Sequence, residues 1–455
     1  MSEKEIVVEQ NIKTTKPIPK LSGAKPETGH LDEYHQNQVE FLTRARRECG
    51  ELAQYELGAQ PYVLLSGPDA NEAFCRAPDE QLSQAKVYRA MTPVFGKGVI
   101  FDADPEIMKQ QLKIQVQALR HDNMKEYAKV IADEVADFTA KWGDKGEIDL
   151  VDAFTELTLY TSTSCLLGTD FRQSMTSEFA SLYADLEHAV IAIAFIDPYL
   201  PIPEFAKRDA ARIRLAEMVA EILQERRDSG REYHDALATF MNSTYKDGSF
   251  LNHEEITGLL IATMFAGHHT SSGTAVWTLV EFLRNPQFAA PILNELQEIF
   301  NDGGEVSHHV MRSIPKLEEF VMETLRLHPP LVILLREVLQ DLHYKDYLIP
   351  AGYNVVMSPA VSHKIPEVFD EPEKFNPNRP EPEHLFAFIA FGGGRHKCAG
   401  NAFAILQLKA IFATLLLNFE FELVNSPESY GDDHSGMTVK PAKPCRVRYI
   451  RKRLV

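Results

Sequence analysis

Ten consecutive residues, Phe391-Gly392-Gly393-Gly394-Arg395-His396-Lys397-Cys398-Ala399-Gly400, gather glycines around one cysteine just ahead of a long apolar stretch. Glycine has no Cβ, so such a loop lets backbone lie close against a flat cofactor. A cysteine at the mouth of a helix sits at the positive end of its dipole, which favours thiolate over thiol. Backbone N–H groups in the loop can bond to the sulfur and tune a metal held by it. Standing alone, a free cysteine is more often a small buried hydrophobe. Three other groups stand in order before it. Gly267-His268-His269-Thr270-Ser271-Ser272-Gly273 puts imidazoles and hydroxyls inside an otherwise apolar helix; Glu323-Thr324-Leu325-Arg326 sets an acid and a base at i and i+3; Phe375-Asn376-Pro377-Asn378-Arg379 adds a second arginine. By itself an acid–base pair at that spacing is usually a surface ion pair of little value.

The elements that must position these groups are mostly helices. Asn252 followed by acidic residues predicts a helix start, and the apolar pattern runs to Pro286. Its first half is apolar on nearly all sides, as expected of a helix buried through the middle of a protein. The two glycines and the run of hydroxyl residues predict a locally opened helix near Gly267–Gly273. Helical patterns also cover Pro105–Trp142, residues 151–225 with a break at the three prolines of Ile196–Phe205, Lys316–Leu327, and the stretch from Gly400. Strands are expected over Pro61–Gly67, Tyr347–Ile349 and Asn354–Met357, with Pro350-Ala351-Gly352 as a turn. The fold class is therefore mainly α with a minor β subdomain. Residues 1–30 read as a flexible leader without a membrane anchor, and 31–455 as a single domain.

Of 455 residues, 44% are hydrophobic and 25% charged, enough to bury a sizeable core. Lys plus Arg number 47 against 65 Asp plus Glu, a net charge of -18 that disfavours broad nucleic-acid binding. The basic run Arg446, Arg448, Arg451, Lys452 and Arg453 reads as a solvated tail, with a docking patch for an acidic partner as the alternative. Five scattered cysteines form neither a disulfide framework nor a zinc motif, and fit a reducing, cytoplasmic compartment. The apolar stretch Val190–Phe205 is expected to pack in the core, with a membrane-touching entrance as the other possibility.

In this fixed order the four segments resemble the cytochrome P450 superfamily. AGHHTSSGTAVWTLVEFLRNP, ETLRLHPPLVILLR and YRAMTPVFGKGVIFDA resemble its sterol 14α-demethylase branch, of the soluble bacterial type. His269, where most of the superfamily carries Asp or Glu, and His396, where arginine is common, are marks of that branch. The resemblance implies heme b (iron protoporphyrin IX) between the long central helix and the cysteine loop. Cys398 becomes the axial iron ligand, set in the loop by Phe391, Gly394 and Gly400. Tyr88, Lys109, Arg336 and His396 become donors to the heme propionates, a fitting task for cations and hydroxyls. Glu323, Arg326 and Arg379 become a buried structural network. Thr270 is implied to hold a water or proton near the iron and His269 to deliver protons. Ala90, Met91, Phe95, Ala266, Leu331, Ile333 and Met437 are implied to line the substrate cavity, although core packing explains the apolar ones nearly as well.

The implied reaction is removal of the 14α-methyl group of a lanosterol-type sterol by three successive O2-dependent oxidations, with release of formate. No GxGxxG follows a strand, so electrons are expected from NAD(P)H through a separate ferredoxin-type donor and its reductase. A monomer without a stable membrane span is expected. Ala90 stands where relatives carry Phe or Leu against the sterol C4 methyl groups, so looser selection at C4 is expected. A same-fold monooxygenase of another steroid, hopanoid or terpenoid is the nearer rival, and a non-catalytic heme sensor or carrier the remoter one.

Overall fold

The computed structural model describes residues 16–119, 121–174, 177–301, 304–434 and 438–452. Its axis is the helix His253–Arg284, started as expected by Asn252. The Asn252 side chain accepts from the Glu255 N–H at 2.9 Å, and Glu255 Oε2 accepts from the Asn252 N–H at 2.8 Å. This reciprocal cap satisfies two donors that a helix start leaves unpaired. The helix stops at Asn285, before Pro286, which has no N–H to continue the ladder. The expected opening near Gly267 is absent: the helix is continuous. Thr270, Thr274 and Thr278 bond back to carbonyls four residues earlier at 2.7 Å, leaving the ladder intact. Such hydroxyls share the carbonyl with the backbone N–H rather than displacing it.

Around this axis pack Leu150–Leu166, Pro203–Ser229, Pro315–Leu327 and Asn401–Asn418, sharing one apolar core with the central helix. The pattern read as one helix over 105–142 is two, Pro105–Ala118 and His121–Ala140. Ile196–Ile202 is non-helical, as its prolines require, and Pro203 opens the next helix at its first turn, where a missing N–H costs nothing. Asn401–Asn418 alone among the described residues is long and apolar enough to cross a membrane, and it is mostly buried inside the protein.

A five-stranded sheet forms the smaller, β-rich part, in the order Leu52–Leu57, Gln60–Leu65, Asn354–Met357, Leu334–Val338, Leu82–Ser83. The pairing Tyr62↔Asn354 to Leu65↔Met357 is parallel; the other neighbours are antiparallel. All three expected strands are present. Residues 1–15 of the expected leader lie outside the described residues. Residues 16–30 depart from the expectation: Lys16 bridges to Tyr347, Lys20 to Gln54, and Ile18 and Leu21 are buried against the sheet. Isolated apolar residues between prolines suffice when a sheet edge supplies the hydrogen bonds.

The basic run is not a free tail, although Arg446 and Arg448 stay exposed. Arg446–Arg451 is the central strand of a second sheet, between Lys145–Asp149 and Phe419–Leu423. Arg446 pairs with Glu147 at 3.3 Å and Arg448 with Glu422 at 3.9 Å. Arg451 donates to the Thr139 and Trp142 carbonyls and Lys452 to that of Leu416; Arg453 lies outside the described residues.

Candidate functional site

The glycine-rich loop is held by its own backbone. Cys398 N–H donates to the Phe391 carbonyl at 2.9 Å and Gly392 N–H to that of Ile389 at 2.8 Å. Gly394 has φ +64°, and a Cβ there would lie 2.1 Å from the Cys75 carbonyl oxygen. Only glycine allows both the left-handed backbone and that approach. Cys398 presents accessible surface next to the helix Asn401–Asn418. Enough protein surrounds the thiol that burial pushes its pKa up, opposed by the Gly400 N–H aimed at the sulfur and by Lys397. An N–H bond and a cation both favour a thiolate, the form that binds metal.

Tyr88, Arg336 and His396 meet at one cleft, with Phe74, Cys75, Gln84, Met357, Gly392 and Gly393. Arg336 is buried, donates to the Phe74 carbonyl at 2.7 Å and lies over the Phe74 ring. It makes no ion pair among the described residues. A buried guanidinium without a carboxylate calls for an anionic partner. Burial pushes the Tyr88 hydroxyl up, so it stays a neutral donor. An accessible cysteine, a glycine cradle and a buried cation beside a phenol fit a heme with its propionates. Lys109 is not brought to this cleft; its side chain is 74% exposed, 3.9 Å from Glu106. On the solvent face of Pro105–Ala118, no packing constraint turns it inward.

His396 holds two partners that the sequence did not point to. Its Nε2 lies 2.5 Å from Asp79 Oδ1 and its Nδ1 3.2 Å from Gln84 Nε2. The amide donates to Nδ1, so Nε2 carries the hydrogen toward Asp79. Burial works to raise the Asp79 pKa, but the His396 hydrogen bond and nearby cations hold it down.

The acid–base pair is no surface bridge. Arg326 forks onto Glu323 with two 2.8 Å bonds and donates to the carbonyls of His363, Pro372 and Lys374. Arg379 Nε and the Asn376 N–H bring two more donors to Glu323 Oε1, at 3.0 and 2.9 Å. His363, which no sequence motif marks, ties this network to the cysteine loop. The Ile389 N–H donates to its Nε2 at 2.9 Å, which leaves Nδ1–H to donate to the Arg326 carbonyl at 3.2 Å. Burial pushes its pKa from 6.5 down to about 3. Between those two pH values the unfolded chain takes up a proton that the folded protein refuses, so stability falls as pH drops below 6.5. We expect the urea midpoint to fall between pH 7 and pH 5, and less steeply in H363Q. Equal slopes in variant and parent would remove His363 from the account.

From Ile256 to Phe282 every residue of the central helix is buried except Ala266, Gly267, His269 and Thr270. A Cβ on Gly267 would meet nothing within 4 Å. This is one open window in a buried helix, at the positions marked from the sequence. The Thr270 hydroxyl donates to the Ala266 carbonyl at 2.7 Å, so its lone pairs remain to hold a water. His269 Nε2 lies 2.7 Å and His268 Nδ1 2.8 Å from the same oxygen of Glu187. Burial works to raise the Glu187 pKa, but the two histidine hydrogen bonds win and hold it at about 2. Glu187 sits on the separate helix Ser177–His188 and carried no sequence signal.

Of the apolar positions, Met91 and Phe95 are buried, and Phe95 meets Phe265 of the central helix edge-on at 6.0 Å. Leu331 and Ile333 are half-buried. Ala90 packs in a separate small cluster with Ala189, Ala194 and Phe205, while Arg89 lies over the Tyr199 ring. Met437 lies outside the described residues. The stretch 190–205, expected to pack in the core, instead leaves Ile191, Ile193, Phe195, Tyr199 and, at 80%, Ile196 exposed. The prolines that break the helix there also keep it from laying one apolar face on the protein.

A family model described as Cytochrome P450 matches residues 19–448. A sterol 14alpha-demethylase of Mycolicibacterium vanbaalenii is 45% identical over 96% of this chain and 98% of its own. That of Mycobacterium tuberculosis is 46% identical over the same shares. An obtusifoliol 14-alpha demethylase of Triticum aestivum is 36% identical over 97% of this chain and 99% of its own. Among solved structures, the cytochrome P450DA heme domain superposes with a TM-score of 0.85 at 22% identity, over 96% of this chain and 98% of that one. Retinoic acid bound cyanobacterial CYP120A1 gives 0.82 at 21%, over 96% and 100%.

Proposed function

This chain belongs to the cytochrome P450 family, and from that membership we propose that it is a sterol 14α-demethylase. The observation that carries it is near full-length identity of 45% to a bacterial sterol 14alpha-demethylase, together with the open window on the central helix. Plant and bovine relatives of the same activity extend the likeness over 96% or more of the chain.

Heme bound through Cys398 supplies the oxidising chemistry, using dioxygen and electrons drawn from NAD(P)H. The chain's own residues bind, orient and move protons. Tyr88, Arg336 and His396 would hold the propionates; His396 must release Asp79 or Gln84 to do so, since both ring nitrogens are engaged. Proton supply runs through the window. Glu187 stays ionised and accepts from both imidazoles, and His269 Nε2, at 2.7 Å on the accessible side, is the donor that faces the window. Thr270, with its hydrogen committed to Ala266, orients a water by accepting from it. T270V keeps the shape and removes the acceptor; we expect turnover to drop by about 100-fold, the lower end for a lost proton-transfer group. Product formed per dioxygen consumed checks this, and wild-type coupling in T270V would dismiss the role.

Met91, Phe95, Ala266, Leu331 and Ile333 would line the sterol cavity, and a ferredoxin-type protein with its reductase would bring electrons. The exposed side chains Ile191, Phe195, Ile196 and Tyr199 would rest on a bilayer surface while a sterol is collected. Titration with lanosterol, obtusifoliol and norlanosterol, followed by product analysis, tests the activity. A low-to-high-spin shift and 14-demethylated product with at least one of them is expected; Ala90, packed with Ala189, Ala194 and Phe205, gives no structural basis for looser selection at C4. Response to none would sink the sterol function.

A further inference from the structure

Glu187 meets two consecutive histidines at once. Its Oε1 lies 2.8 Å from His268 Nδ1 and 2.7 Å from His269 Nε2, and the three ligand-type atoms all lie within 4.8 Å of one another. Consecutive helix positions point about 100° apart, so neighbouring imidazoles rarely share a point. Here they do because one uses Nδ1 and the other Nε2, with a carboxylate from another helix entering between them.

His268 Nε2 lies 2.9 Å from the Thr155 carbonyl. A carbonyl only accepts, so that nitrogen carries hydrogen, and the neutral ring turns an Nδ1 lone pair toward a carboxylate that is also an acceptor. A positive charge must sit between them, and a shared proton meets that need. The same arrangement is a metal donor set: two imidazole nitrogens, one carboxylate oxygen, and an outer ring nitrogen fixed by a carbonyl.

We propose that Glu187, His268 and His269 form a binding site for a divalent transition-metal ion of the zinc class, which takes the place of the shared proton. Three protein ligands leave a fourth position for water. Zinc bonds of about 2.0–2.2 Å need ligand atoms roughly 3.3 Å apart, an opening of about half an ångström in the Glu187–His268 and Glu187–His269 pairs. His269 and Glu187 side chains are 26% and 15% exposed, so an ion can enter on their side while His268 is fixed by its carbonyl. The low Glu187 pKa, about 2, keeps the carboxylate ready as a ligand. If His269 passes protons as described above, a bound ion also holds that relay shut; this consequence rests on the demethylase function, whereas the binding does not.

The test titrates the heme-loaded enzyme with zinc alone against a chromophoric chelator. One zinc per heme is expected. E187Q and H269N should each weaken it on the order of 100-fold, the upper end of what losing even an outer partner of a metal site costs. C49S, at a half-buried thiol elsewhere, should change nothing. Unchanged zinc affinity in both E187Q and H269N overturns the site. Should E187Q fold poorly, H269N decides, since His269 lies at the accessible edge and the carbon-monoxide spectrum reports its fold. No sterol is present, so failure here is separate from failure of the demethylase function.

Discussion

Replacing Cys398 by serine is expected to remove the thiolate-type Soret band of the reduced, carbon-monoxide-bound protein. Serine keeps the size and the approach of the Gly400 N–H but not the soft, readily ionised sulfur that iron requires. Among the five cysteines, only Cys398 is exposed and precedes an apolar helix at a glycine cradle; Cys75, Cys165 and Cys445 are buried, and burial pushes their thiols up. None of those can take over. Demethylation should fall on the order of 1000-fold or more, which at 1.36 kcal/mol per decade is about 4 kcal/mol of barrier. A thiolate band surviving in C398S would mean that another sulfur holds the iron. C75S serves as the control, and should keep the band.

The second large effect is expected at Arg326. R326L leaves Glu323, which is 5% exposed, with only Arg379 and Asn376, and strands the carbonyls of His363 and Pro372. Removing one partner of a buried pair costs about 3–5 kcal/mol, because the other charge stays behind without solvent. Set against a total stability of about 5–15 kcal/mol, that is about a fifth or more. The loss should reach the cysteine loop, since His363 bonds to the Arg326 carbonyl on one side and to the Ile389 N–H on the other. We therefore expect R326L to lower the urea midpoint and to release heme faster at denaturant concentrations where the parent retains it. R326K should recover little, because an ammonium cannot reproduce the two-pronged contact with Glu323. A midpoint equal to the parent's would show that this network is not what secures the loop.

Much of this protein is written in local chemistry. Asn252 with Glu255, Pro286 and Pro203 mark their helix ends as read, because caps and prolines act within a few residues. Gly394 marks the cradle because no other residue fits its backbone, and the order of the four segments gave the family. The hydroxyls near Gly267 misled: they bond back without opening the helix, and only packing on every side decides that outcome.

What the tertiary structure alone decided is who meets whom. Glu187 is 81 residues from His268, Asp79 is 317 from His396, and Thr155 is 113 from His268. His363 joins Arg326 to Ile389 across two separate stretches of chain. No periodicity or motif encodes such pairs, since each residue alone reads as an ordinary polar side chain. Lys109 stayed in solvent and Ala90 joined a separate cluster for the converse reason. Residue type is set by sequence, but the direction a side chain faces is set by which neighbours must be excluded from water.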